Sequence, residues 1–255
     1  MSMMKWPLLA LCLIGLLAQF TFSSSTYMAE ALMLDGLDAQ KRGNSEGAIQ
    51  FYRRAASWST ADPQLRYLHG LQWKRLGRLD DAKAAYGDSL AISPNMSVTL
   101  IKYAELLALT GEPQAAQQMI ERALELAPAD PRALEIAGLI RGVQGDHAGA
   151  AVHFARAVEY STVASPKLLN HASYTLFKLE DYGAALTYVD EAIRKDPHHP
   201  DNHLLRAKIL LATNRQVEAI AGLREAEREF LHSPIKNAAT QEKLKETRNF
   251  LSLLR

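Results

Sequence analysis

Apolar residues along this chain recur at intervals of three and four, the spacing of one helix face, and the runs they form are broken by short polar segments. Residues 97–130, SVTLIKYAELLALTGEPQAAQQMIERALELAPAD, show the plan: an amphipathic helix, a tight turn at Gly111, a second amphipathic helix and a stop at Pro128. Neighbouring stretches superpose on this one at a spacing of 34 residues, with one extra residue between the fourth and fifth. Repeats therefore start at Ala29, Pro63, Ser97, Pro131, Pro166 and Pro200. A fixed period of this length predicts a stacked array rather than one or two ordinary domains.

The small residues keep register throughout. Position 20 of each repeat is Ala48, Ala82, Ala116, Ala150, Ala185 and Ala219, and position 27 is Ala55, Ser89, Ala123, Ala157, Ala192 and Ala226. Position 8 is small as well, with Gly36, Gly70, Ala104, Gly138, Ser173 and Ala207. Two helices approach to about 8–10 Å only where side chains permit it, so these positions set the helix spacing. Position 24 is bulky, with Tyr52, Tyr86, Ile120, Phe154, Val189 and Leu223, and is expected to fill the space that the small residues leave. Position 15 is Gly43, Gly77, Gly111 and Gly145, then Glu180 and Asn214; Gly, and less often Asn, accepts the left-handed conformation that ends a helix, and Glu180 departs from that rule. Second helices are expected to close near Pro94, Pro128 and Pro197.

In these residues the chain resembles the tetratricopeptide repeat, a helix-turn-helix unit of 34 residues with small residues at 8, 20 and 27 and Pro near 32. The resemblance covers about residues 29–232, with Arg66 and His203 standing where the family is usually apolar. It implies an all-α fold, a right-handed α-solenoid of helix-turn-helix units, near 29–62, 63–96, 97–130, 131–165, 166–199 and 200–233. Residues 236–255 form one more amphipathic helix, with Leu244, Phe250, Leu251 and Leu254 as its apolar side, and resemble the terminal cap that covers a solenoid's last face. The solenoid itself is expected over 29–235, and residues 1–28 stand apart as a leader.

The resemblance also implies where partners bind. First helices of such repeats line a concave groove that takes extended or helical peptides, through positions 2, 5, 9, 12 and 13. Carried over position by position, the candidates are Met33, Leu37, Tyr67, Leu71, Lys74, Ile101, Glu105, Arg132, Glu135, Leu139, Lys167, Asn170, Tyr174, Phe177 and Lys178, with Gln40, Lys41 and Arg75 beside the first of them. Tyr174, Phe177 and Lys178 form the sharpest cluster, since two aromatics and a cation anchor a partner segment well, although helical aromatics more often pack into a core. Family members that hold a chaperone's terminal carboxylate use a clamp of Lys, Asn and Arg; Met33 and Leu37 stand at such sites here, which disfavours that partner.

Composition narrows the function further. Lys plus Arg (29) nearly balance Asp plus Glu (28), with no long block of one sign, so no nucleic-acid partner is expected. Met1 to Lys5 is a short basic lead, followed by an apolar run from Trp6 to Phe22, which reads as an export signal or a membrane anchor. Both fates stay open: cleavage at Thr21-Phe22-Ser23 or Ala29-Glu30-Ala31, or retention as an anchor with the N-terminus cytoplasmic. The expected location is the bacterial inner membrane facing the periplasm, or the periplasm and beyond if the leader is cleaved. Cys12, the one cysteine, follows Leu11 where a lipobox needs a small residue.

Catalytic chemistry lacks its parts, with no Gly-rich phosphate loop, nucleophile elbow or metal-binding helix in the sequence. His198, His199 and His203 cluster around Pro197 and Pro200, but their spacing matches no zinc signature, so neither metal nor cofactor is expected. Asn95-Met96-Ser97 fits an N-glycosylation acceptor and matters only in a cell with that machinery. The expectation is a non-enzymatic scaffold or adaptor of the cell envelope, assembling a secretion, polysaccharide or membrane-protein complex through its groove. Two alternatives stand beside it: a non-catalytic subunit or small-ligand receptor of an envelope enzyme complex, and a self-assembling structural solenoid.

Overall fold

The computed structural model describes residues 27–58, 62–233 and 237–254. The apolar leader segment expected over residues 6–22 lies outside them, and among the described residues no helix is long and apolar enough to cross a membrane.

All regular structure among the described residues is helical. The helices are α1 (27–41), α2 (Ser45–Trp58), α3 (Pro63–Arg75), α4 (Leu79–Ile92), α5 (Ser97–Leu109), α6 (Pro113–Leu126), α7 (Pro131–Val143), α8 (His147–Tyr160), α9 (Pro166–Lys178), α10 (Tyr182–Lys195), α11 (Pro200–Ala212), α12 (Gln216–His232) and α13 (Ala238–Leu253). The chain divides into two compact units at Leu126 and Ala127. The N-terminal unit holds the hairpins α1/α2, α3/α4 and α5/α6. The C-terminal unit holds α7/α8, α9/α10 and α11/α12, followed by α13.

Start and stop signals act as the residue types dictate. Pro occupies the first turn of α3, α7, α9 and α11, where its missing N–H would have no partner in any case. Ahead of it the side chains of Asp62, Asp130 and Ser165 accept hydrogen bonds from the free N–H groups of α3, α7 and α9. The helices α4, α6 and α10 end two residues before Pro94, Pro128 and Pro197, because the residue preceding a proline is pushed out of the helical region. All six turn positions carry a positive φ, from 58° at Asn214 to 82° at Gly111 and Gly145, and Glu180 joins them at 62°. Its neighbours close the α9 end as they do in the other repeats: Asp181 N–H donates to the Leu176 carbonyl at 3.0 Å. The fold therefore imposes the left-handed turn on a residue that disfavours it by roughly 1 kcal/mol.

Inside each hairpin the bulky residue at position 24 lies against the small one at position 8. A Cβ added at Gly36, Gly70 or Gly138 would overlap the rings of Tyr52, Tyr86 and Phe154 respectively. Where position 8 carries a methyl or hydroxymethyl group, at Ala104, Ser173 and Ala207, position 24 shrinks to Ile120, Val189 and Leu223. Size is compensated inside one repeat, and burying each of these side chains stabilises the unit by about 1.5–3 kcal/mol. The alanines at positions 20 and 27 are fully buried in every repeat. Ser89 at that second position is accommodated because its hydroxyl donates to the Pro63 carbonyl at 2.8 Å and lies 3.1 Å from Thr99 Oγ1.

In the C-terminal unit, α13 lays Leu244, Phe250, Leu251 and Leu254 on a core of Leu204, Ala207, Leu223, Ala226 and Phe230. Ion pairs from Lys243 to Asp201 (2.7 Å) and from Glu246 to Lys208 (2.8 Å) flank that apolar contact. The helix covers α11 and α12, as expected of residues 236–255.

Candidate partner-binding site

In the N-terminal unit the first-helix candidates are largely used up by the protein itself. Met33, Leu37, Tyr67 and Leu71 pack against a core that includes Leu32, Tyr52 and Leu65. Gln40 accepts hydrogen bonds from the Tyr52 hydroxyl (3.1 Å) and from the Gln72 amide (2.7 Å). Ile101 is buried, at 5% exposure. Glu105 receives Lys74 and Lys102, one on each carboxylate oxygen at 2.8 Å. Burial pushes the Glu105 carboxyl up, but the hydrogen bonds and charges of the two lysines outweigh it and hold its pKa below the ordinary value. Tyr86 makes ring contacts with Tyr67 and Tyr103, and burial drives its hydroxyl pKa well above the usual range.

The C-terminal unit differs. A hollow of about 300 Å³ opens between first helices α7 and α9, with Leu139, Gly142 and Val143 on one side, His171, Tyr174 and Thr175 on the other and Phe154 of α8 among its lining residues. Two of the candidates, Leu139 and Tyr174, meet here. Gly142 is the penultimate residue of α7, and among the described residues nothing lies within 4 Å of where its Cβ would be. A glycine there costs the helix less than the roughly 1 kcal/mol of an interior position, and no close packing accounts for it. Gly142 holds position 12 of its repeat, which the next repeat fills with Phe177.

The sharpest sequence cluster divides at this point. Tyr174 is 47% exposed, and the Lys178 ammonium lies 5.6 Å from its ring centroid. Phe177 instead packs with Ala185, Val189, Leu205 and Ile209 and meets the ring of Tyr182 at 6.0 Å. On a helix, residues four apart share a face, whereas position 177 is rotated toward α10 and α11.

A second, more polar hollow of about 380 Å³ lies by the N-terminal ends of α9 and α11, lined by residues that include Lys167, Asn170, His199, Asp201 and Asn202. Asn170 donates its amide to Asn202 Oδ1 at 2.8 Å, while the buried Asn202 Nδ2 has no partner among the described residues. Both hollows touch His171, whose Nδ1 lies 3.4 Å from Glu135 Oε1. Arg132 and Lys167 are exposed at the first turns of α7 and α9. Sequence reasoning named the helix faces but missed Gly142, His171 and Asn202. The available signal was a glycine inside a helix, away from every marker position.

The histidines around Pro197 are spread out: His203 Nε2 lies 2.7 Å from the Pro197 carbonyl, and His198 Nδ1 lies 3.4 Å from the buried Glu229. Among the described residues no three His, Cys, Asp or Glu side chains converge as a metal site would require.

Comparison with known proteins agrees with this architecture. Tetratricopeptide repeat profiles match residues 75–140 and 172–233. No curated protein matches the chain by sequence. Among solved structures, PilF of Pseudomonas aeruginosa superposes with a TM-score of 0.75 at 18% identity, covering 89% of this chain and 99% of its own. PilW, described as a widely conserved type IV pilus biogenesis factor, superposes with a TM-score of 0.76 at 16% identity, covering 86% of this chain and 98% of its own. A tetratricopeptide repeat protein from Parabacteroides merdae gives 0.68 at 18% identity, over 87% of this chain and 84% of its own. At these identities the likeness concerns the fold, and it joins with the repeat profiles and the six compensated hairpins to one conclusion: the chain belongs to the tetratricopeptide repeat family.

Proposed function

We propose that the protein is a non-catalytic scaffold of the bacterial cell envelope, brought to or across the inner membrane by its N-terminal segment. Its C-terminal unit receives a segment of a protein partner along the exposed faces of α7 and α9. The observation that carries this reading is the pair of hollows on the first helices of this unit, an apolar one between α7 and α9 and a polar one between α9 and α11, sharing His171. The basic and apolar leader of residues 1–22 supports the envelope location. The full-length likeness to PilF and to the pilus biogenesis factor PilW supports a role in building an envelope-spanning machine of the pilus or secretion kind.

Site-specific photo-crosslinking in cells tests this, with the photoreactive residue placed at Val143, which is 65% exposed, and at Val217, which is 84% exposed on the second helix α12. Crosslinks to an envelope protein from Val143 and none from Val217 are expected; equal yields from both would overturn the groove reading. A reporter enzyme fused after Arg255 tests location separately, and activity of a reporter that works only in the cytoplasm would overturn the envelope reading.

A further inference from the structure

Of all the first-helix positions in the C-terminal unit, position 12 of the fourth repeat is the one where a glycine stands in open space beside a hollow. Nothing crowds that backbone, so the glycine is not a device for close helix packing. Its effect is to keep the hollow empty where the next repeat inserts Phe177. The walls are aliphatic and aromatic, from Leu139, Val143, Phe154 and Tyr174, and about 300 Å³ accommodates one bulky side chain rather than a whole helix face.

The ionisable side chains that line the hollow are His147, His171 and Tyr174. No acidic residue lines it. The Lys178 ammonium lies 5.6 Å from the ring centroid of Tyr174, a lining residue, and makes no ion pair among the described residues. The nearby carboxylate, Glu135, faces His171. On the far side of His171, the Asn170 and Asn202 amides offer hydrogen bonds of the kind that satisfy a peptide main chain.

Resting on the scaffold reading above, we propose that this site takes an extended peptide segment in which one aromatic or branched aliphatic residue stands next to an acidic residue. The apolar side chain fills the hollow over Gly142, its acidic neighbour faces Lys178, and the main chain crosses His171 toward Asn170 and Asn202. Along α9, Lys167 and Lys178 are eleven positions apart, about 16 Å at helical rise, which an extended chain spans with about five residues. The recognised motif is accordingly short.

The test is selection of a phage-displayed random dodecapeptide library on the full-length protein in detergent, with the winning peptides measured by fluorescence polarisation. Enriched sequences carrying Phe, Tyr, Leu or Ile beside Asp or Glu are expected. Gly142→Leu, which fills the hollow, should weaken them at least tenfold while melting no lower than the unsubstituted protein. Lys178→Glu should weaken them at least fivefold and shift a repeated selection toward basic residues beside the anchor. Gly87→Leu supplies the control, since Gly87 is also a helical glycine with nothing among the described residues within 4 Å of its Cβ but lies in α4, away from the hollow. The proposal is overturned if no peptides are enriched, if they lack the pattern, or if Gly142→Leu binds them unchanged. Val143 crosslinks that persist in Gly142→Leu would keep the scaffold reading and reject this pocket as the anchor.

Discussion

The two compact units have the same hairpins and put their first-helix faces to different uses. In the N-terminal unit, Tyr67 and Leu71 pack into the core and Lys74, Lys102 and Glu105 satisfy one another. In the C-terminal unit, the corresponding faces leave Leu139, Gly142 and Tyr174 around an empty hollow and Lys178 unpaired among the described residues. A face whose polar groups are already neutralised gains little by binding, because a partner must first displace what is there. A face with open apolar walls and a free cation loses less on desolvation and gains more on contact. The difference lies in residues between the markers that make both units fold, such as Lys74 and Gly142 at position 12.

The largest test of that contrast is deletion of the position-24 ring on each side. Tyr86→Ala should destabilise by about 3–5 kcal/mol in chemical denaturation, since its ring is enclosed on every side. Phe154→Ala should cost less, because its ring, though only 2% exposed, borders the hollow. Equal losses would mean that the hollow is closed in solution.

Acid should weaken the N-terminal unit. Burial holds the His69 pKa down at about 4, with Arg66 and Arg53 adding to the effect. A histidine depressed in the folded state contributes stability that is complete above its unfolded value of about 6.5. That contribution disappears as pH falls toward 4, on the order of 2 kcal/mol after allowance for its residual solvent contact. Denaturant titrations at pH 7 and pH 4.5 should show the loss, and His69→Leu should remove most of the difference. His153 in the C-terminal unit is lowered by burial and by Arg141 and Arg156, so it contributes with the same sign.

Glycine-to-alanine changes should have opposite signs at position 8 and at position 12. Gly70→Ala drives a methyl group into the Tyr86 ring and should destabilise by about 1–3 kcal/mol. Gly142→Ala, in the last turn of α7, meets nothing among the described residues and should stabilise by about 0.5 kcal/mol or less through helix propensity alone. A loss at Gly142 comparable to that at Gly70 would remove the basis for reading it as a functional vacancy. The smallest effect belongs to the turn: Glu180→Gly should relieve the left-handed strain and raise stability by about 0.5–1 kcal/mol, partly offset by the glycine's greater freedom when unfolded.

The fold was legible because close approach of helices demands small residues in fixed register. Ala48 through Ala219 and Ala55 through Ala226 therefore announce the hairpins without any knowledge of neighbours. The turn at Glu180 was legible from position and not from residue type, since the left-handed conformation is dictated by the two helices it joins. The binding face was harder to read. Tyr174, Phe177 and Lys178 look like one cluster in sequence, yet Phe177 turns toward the α10 and α11 core, while Tyr174 lines the hollow with Lys178 against its ring. Gly142 gave the weakest signal of all, because what it contributes is the absence of a side chain. A missing group becomes visible only when the walls around it are known.

The pairing of Gly36 with Tyr52, Gly138 with Phe154 and Ser173 with Val189 has a consequence for how such a chain is assembled over generations. Each hairpin balances its own volume at positions 8 and 24, so a duplicated or transplanted 34-residue segment carries that match with it, while contacts between repeats such as Gln40 with Gln72 and Lys74 with Glu105 must be retuned. Exchange of a single residue between repeats breaks that balance, whereas exchange of the whole pair does not. The heritable module is thus the matched pair within its hairpin, and the residues free to diversify between copies are those on the faces that meet other molecules.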